Sequence, residues 1–148
     1  MLLTACGQPQ KSAQKTDNKP AGRKVIPETT LTFLGFDGRP VSSIEVELAD
    51  EQLERSQGLM DVRSMPENEG MLFIFDEERV LSFWMANTPL SLDIMFVNSD
   101  STIVRIHQNT TPFSNRSLAS DAPAIFVVET NAGYALSHGL TEGMKIRF

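Results

Sequence analysis

A single cysteine, Cys6, stands in the 148 residues, so neither an intrachain disulfide nor a thiolate zinc site can form. No window approaches the roughly 18 apolar residues that a membrane-crossing helix needs. GxSxG, P-loop, GxGxxG and HExxH patterns are all missing, which removes the signatures of the common hydrolase, nucleotide-binding and zinc-protease chemistries. No metal site and no cofactor is therefore expected. Histidine is scarce as well. His107, in an alternating strand pattern, and His138, at a helix end, read as surface residues. Lysine is confined almost wholly to the beginning, and Lys145 is the only one after residue 27.

What is present is unevenly placed. Residues 7–27 carry Lys11, Lys15, Lys19, Arg23 and Lys24 against Asp17, a net of +4, which leaves −10 of the total −6 for residues 28–148. An acidic body behind a basic leader excludes nucleic acid as the partner of the folded part. The leader is rich in Gln, Lys, Ser, Ala and Pro and nearly free of apolar residues, the composition of a disordered tether. Leu3-Thr4-Ala5-Cys6 before it resembles a bacterial lipobox, in which the cysteine is lipidated and becomes the mature N-terminus. Two or more acyl chains at about 0.8 kcal/mol per buried CH₂ hold such a protein on a membrane. Only Met1-Leu2-Leu3 precede the box, fewer than the roughly 7–15 apolar residues of a signal core. Either Met1 lies inside a longer signal, or the match arises by chance. On the lipoprotein reading, residues 1–6 are a signal remnant, residues 7–27 a tether and residues 28–148 one domain. The protein then sits outside the cytoplasm, facing the periplasm or exterior, on the outer membrane where the cell has one.

Thr30–Leu34 reads as a first strand, turned at Asp37-Gly38 into a run where Ile44, Val46 and Leu48 alternate with polar residues. Asp50 as N-cap and Gly58 as C′ predict a two-turn helix over 51–57. Residues 59–69 form a loop. Gly70–Val97, GMLFIFDEERVLSFWMANTPLSLDIMFV, holds two apolar runs split by the polar DEER turn, and then a third run containing Asp93. Asn98–Ser101 turns into a strand over 102–107, and 109–123 reads as a long loop. The run 124–130 is a buried-type strand, 132–138 a short helix, and 144–148 a last strand. Seven or eight short strands with one or two short helices must close their sheet or cover its edges. The expected fold is mainly β: a small, closed or nearly closed, mostly antiparallel barrel.

The polar residues caught among apolar ones are Arg55, Arg63, Asn87, Asp93 and Glu129, and leaving one buried without a partner costs about 1–3 kcal/mol. One reading pairs Asp93 or Glu129 with Arg55 or Arg63, with Asn87 bridging a turn. A second has Trp84, Asn87 and Asp93 lining a cleft beside the 59–69 loop, with Arg55, Met60 and Arg63 around it. An indole flanked by an amide and a carboxylate suits a sugar ring or a peptide segment. A third uses Asp93 and Glu129 as the acid–base pair of a hydrolase acting on an envelope glycan or peptide. Met60, Met65, Met71, Met85, Met95 and Met144 open a fourth, copper handling through thioethers. Because Met71, Met85 and Met95 lie within apolar runs, core packing is the stronger reading for them.

Gly58-Leu59-Met60, Gly70-Met71-Leu72-Phe73, Phe83-Trp84-Met85-Ala86-Asn87-Thr88, Leu92-Asp93-Ile94-Met95-Phe96, Val128-Glu129 and Gly133 follow one another in a recognisable order. Over residues 44–148 the chain resembles the domain-of-unknown-function 192 (DUF192) family of small bacterial and archaeal proteins, often secreted or lipidated. The resemblance implies a closed or nearly closed β-barrel with a small helical excursion, and it implies no established reaction. Family members often carry two cysteines in the loop that here surrounds Pro112; this chain has none there, so a redox role for that loop is excluded. The expectation is a lipid-anchored binding or accessory module of the cell envelope, its cleft beside the FWMANT strand.

Overall fold

The computed structural model describes residues 22–148. Cys6, the lipobox and most of the tether lie outside the described residues. Seven strands make one sheet: β1 (Thr29–Leu34), β2 (Pro40–Ala49), β3 (Glu69–Phe83), β4 (Leu92–Val97), β5 (Ile103–His107), β6 (Leu118–Asn131) and β7 (Lys145–Arg147). Helix α1 (Gln52–Gln57) joins β2 to β3, and α2 (Tyr134–Ser137) lies between β6 and β7. The strand order is β5-β4-β6-β3-β2-β1-β7. Every pair is antiparallel except β2–β3, whose parallel crossover α1 supplies. The two ends of the sheet meet at one corner, where Ile103 N–H donates to the Met144 carbonyl at 2.8 Å and Ile146 N–H to the Ser101 carbonyl at 2.9 Å. The expected mainly-β, mostly antiparallel architecture is therefore present as a half-barrel, with two short helices.

The long apolar runs are explained by burial on both faces. Along the central strands alternate side chains enter two cores. Met71, Phe73, Leu92, Ile94, Phe96 and Val127 join one, and Leu72, Met95, Val97 and Val128 the other. The first core is roofed by Leu59, Val62 and Met65 from the loop after α1, and the second by Tyr134, Ala135 and Leu140 around α2.

Three local expectations change. DEER is not a turn: β3 runs straight through it, with a register shift against β6 between Ile74 and Arg79. Beyond Phe73 the strand has outrun its parallel partner β2, so Asp76–Val80 stay exposed and charges are tolerated there. The loop over 109–123 is shorter than expected, because β6 already begins at Leu118. Asp121 turns into the left-handed region (φ 58°), and the Ser120 hydroxyl accepts the Leu81 N–H at 2.9 Å. This bulge is what admits Pro123 to the strand. At α1 the N-cap is Glu51 rather than Asp50, and the Glu54 carboxylate takes the N–H groups of Glu51 and Asp50 at 3.0 and 3.2 Å.

Two polar residues tie the outer pieces down. Arg23, placed by sequence in the tether, lies against the domain. Its guanidinium reaches both Glu47 oxygens at 2.9 Å and the Gly58 carbonyl at 2.6 Å. Asp93, fully buried, faces the second core. One carboxylate oxygen accepts the Asn109 N–H and the other the Ala135 N–H, both at 2.9 Å. It thereby fixes the chain after β5 and the first turn of α2 to β4. Asp93→Ala leaves both donors without an acceptor and is expected to lower unfolding free energy by about 3 kcal/mol. Urea denaturation reads this directly, and a loss below about 1 kcal/mol would show that the two bonds do not hold these segments.

Candidate functional site

A solvent-open groove of about 720 Å³ runs between α1, the far half of β3 and the FWMANT segment. Its first wall is α1 with the turn that ends it. Gly58 holds a positive φ of 47°, and a Cβ there would stand only 3.1 Å from the Phe73 ring. Glycine thus lets the helix end pack directly on that ring. Arg55 projects from α1 across β3. It donates to the carbonyl oxygens of Ile74 (2.8 Å) and Asp50, stands 3.6 Å from the Asp76 carboxylate, and lies over the Phe75 ring at 5.4 Å.

The second wall is aromatic. Phe83 meets Phe73 edge-on at 5.0 Å, Phe96 at 5.6 Å and Phe75 at 6.2 Å. Trp84, which also lines the groove, is 57% exposed at its mouth. An indole left so open beside a concavity is unusual for a residue that could fill a core.

Glu129 closes the groove from below. In the β6 ladder it stands opposite Met71 on one side and Ile94 on the other, on the face that carries the first core. Gly70 makes this close approach possible, since a Cβ there would fall 2.5 Å from the Glu129 carbonyl oxygen. The Glu129 side chain is 4% exposed and, among the described residues, receives neither a hydrogen bond nor an ion pair. Burial alone pushes its pKa up to about 8, because a carboxylate set between Met71 and Ile94 loses the water that would solvate its charge. At neutral pH the group is mainly the uncharged acid, a hydrogen-bond donor.

The structure brings Arg55, Met60, Trp84 and Glu129 together along this groove and leaves Arg63, Asn87 and Asp93 elsewhere. Arg63 is exposed in the loop after α1. Asn87 takes a left-handed φ of 54° and its carbonyl receives the Asp61 N–H at 3.0 Å, so it shapes a turn. Asp93 and Glu129 occupy opposite faces of the sheet and cannot flank one scissile bond, which removes the hydrolase pairing. Neither carboxylate pairs with Arg55 or Arg63. Both belong to strands whose neighbours here are apolar or backbone groups.

Of the methionines among the described residues, Met60 alone lines the groove. Met65, Met71 and Met85 pack in the first core, and Met95 and Met144 in the second. No group of three or more His, Cys, Asp or Glu side chains suited to a metal occurs among the described residues. The histidines are half-buried rather than superficial: His107 Nε2 lies 2.7 Å from the Ala119 carbonyl, and His138 stacks on Tyr134 at 4.0 Å. Sequence reasoning missed Phe73, Phe75, Phe83 and Thr88 as groove residues. Their signal was the GMLF run, with Phe75 two residues beyond it, and the FWMANT element, all indistinguishable from core until the faces were known.

The arrangement defines a class: a half-barrel of mixed sheet with an aromatic-walled groove and, among the described residues, an acid without a partner in its floor. The profile of the DUF192 family, described as an uncharacterised ACR, matches residues 34–148, and the chain belongs to that family. A crystal structure from Sinorhizobium meliloti 1021, provisionally described as a transcription regulator, is 38% identical. The match spans 84% of this chain and 95% of that one, with a TM-score of 0.78. A protein of unknown function from Novosphingobium aromaticivorans DSM 12444 is 29% identical over 95% of this chain and all of its own, with a TM-score of 0.76. No curated protein matches.

The raised acid sets a pH dependence. The folded state holds the Glu129 proton more tightly than the unfolded chain, whose pKa is near 4.5. The resulting stability is complete below that value and is lost as pH climbs through about 8. Relative to Glu129→Gln, which does not titrate, the wild type is expected to lose on the order of 3 kcal/mol between pH 5 and pH 8. Parallel curves for the two proteins in a pH series of urea melts would refute this.

Proposed function

We propose that the protein is a ligand-binding module of the cell envelope, tethered through lipid on Cys6 and facing the periplasm or exterior. The observation that carries the reading is the groove: open to solvent, with Phe73, Phe83 and Trp84 on one wall, polar side chains of α1 and β3 on the other, and Glu129 in its floor. Its volume falls within the roughly 300–1,000 Å³ of small-molecule sites, and one aromatic wall faces a rim of polar and charged side chains from α1 and β3. A peptide segment is the favoured ligand, because a side chain inserted between the aromatic wall and α1 reaches Glu129. A glycan lying flat on Trp84 would use the mouth alone. The regulator description of the Sinorhizobium protein is not carried over. A body of net −10 lacks the basic footprint that binds nucleic acid.

Thermal melts against peptides, cell-wall fragments and oligosaccharides test the reading. A ligand at about 100 times its dissociation constant adds about 2.7 kcal/mol to the folded state. The shift is expected with peptides or peptide-bearing fragments, and Trp84→Ala is expected to weaken affinity about tenfold without unfolding the domain. A shift that Trp84→Ala leaves intact would place the site elsewhere. A shift with oligosaccharides alone would replace the peptide by a glycan.

A further inference from the structure

We propose that the groove selects a ligand carrying a cationic nitrogen, an ammonium or guanidinium group, set between the aromatic wall and the Glu129 carboxylate. This rests on the groove being the binding site, and adds the chemistry of what enters it. The floor contributes the first ground. Glu129 is 4% exposed, lines the groove and, among the described residues, receives no donor, whereas the fully buried Asp93 has a backbone donor on each oxygen. An unpaired buried carboxyl contributes nothing to folding that a neutral residue of similar shape would not supply better. A partner arriving from the groove accounts for it.

Charge around the groove supports the same choice. The charged side chains lining it are Arg55 from α1; Asp76, Glu77 and Arg79 from β3; and Glu129 from β6, while the segment from Phe83 to Thr88 and the turn over 58–60 contribute none. Arg55 is committed to Asp76 and to two carbonyl oxygens. Glu77 and Arg79 are exposed on the strand that has outrun β2. In the ladder Glu129 is flanked by Met71 and Ile94, neither charged. When ionised it has no counter-charge, and a cation is the complementary ligand.

The aromatic wall supplies the third ground. Arg55 already lies over the Phe75 ring at 5.4 Å, so a ring of this wall holds a cation in the unliganded protein. Rings beside a desolvated cation contribute attraction on their own account. Binding an ammonium group converts Glu129 from acid to carboxylate: the O–H bond breaks, the proton passes to the buffer, and the carboxylate pairs with the incoming cation.

Calorimetry of the full chain with two matched peptides tests this. Acetyl-Ala-Lys-Ala-amide carries the charge, and acetyl-Ala-norleucine-Ala-amide keeps the aliphatic stem without it. Titrations at pH 7 in phosphate and in PIPES, both net anions with different ionisation heats, count protons released. The expected result is at least tenfold preference for the lysine peptide, close to one proton released per binding event, and loss of both in Glu129→Gln. The wild-type proton count needs no variant, so a poorly folded Glu129→Gln leaves the test standing. Equal binding of both peptides without proton release, abolished by Trp84→Ala, would overturn the cation and keep the groove. Binding of neither peptide, with oligosaccharides stabilising the protein through Trp84, would likewise overturn it. Failure of every ligand class to bind would remove the groove reading together with it.

Discussion

Burial on both faces of β4, of β3 from Gly70 to Phe73 and of β6 from Val127 to Thr130 is the constraint on which the rest of the domain depends. Strands with two dry faces cannot alternate polar and apolar residues, and each polar side chain they hold must find a partner or remain a liability of about 1–3 kcal/mol. Asp93 and Glu129 are the two carboxyls caught there, and they meet the constraint in opposite ways. Asp93 faces the core under α2 and is answered by two backbone N–H groups. Glu129 faces the other core and, among the described residues, is answered by no donor. One is an internal fastening, the other an open valence turned toward solvent-accessible space.

The groove follows from how the sheet ends. β3 has 15 residues but is paired to β2 only as far as Phe73. Its far half is therefore paired to β6 alone, with its other edge uncovered, and α1 reaches over that side through Arg55 without sealing it. The glycines of the GLM and GMLF elements have definite mechanical duties here. Gly58 lets the helix end touch Phe73, and Gly70 lets β3 pass the Glu129 carbonyl. Arg23 adds a link from the other direction, since its guanidinium holds the Gly58 carbonyl at the edge of the same groove. The segment that leads from the leader thus ends beside the site.

Much of the fold was legible because it depends on local chemistry. The Asp37-Gly38 turn, the alternation after it, the Gly58 stop and the AIFVVET run each carry their own signal. What stayed hidden was register. In a strand buried on both faces, polarity does not alternate, so nothing in LDIMFV or VVET says which face Asp93 or Glu129 occupies. That single ambiguity separates a hydrolase pair from two unrelated carboxyls, and the structure resolves it as the latter. The DEER residues misled for a related reason: four charged residues mark a turn in most sequences, yet a strand that outruns its neighbour is wet enough to hold them. Trp84 was legible as a site residue because it is the one tryptophan of the chain and stands three residues before the polar Asn87-Thr88 pair. Phe73 and Phe83 were not, since an aromatic in an apolar run has the same appearance whether it fills a core or lines a wall.

The central claim is that Glu129 is held as a neutral acid, unpaired and directed at the groove. Carbon-13 NMR titration of the glutamate side-chain carboxyls, with the Glu129 signal identified by its loss in Glu129→Gln, measures this without any ligand. A midpoint near 8 is the expected result. A midpoint in the ordinary glutamate range, around 4.5, would mean that water or a protein donor already solvates the carboxylate, and the groove floor described here would be wrong.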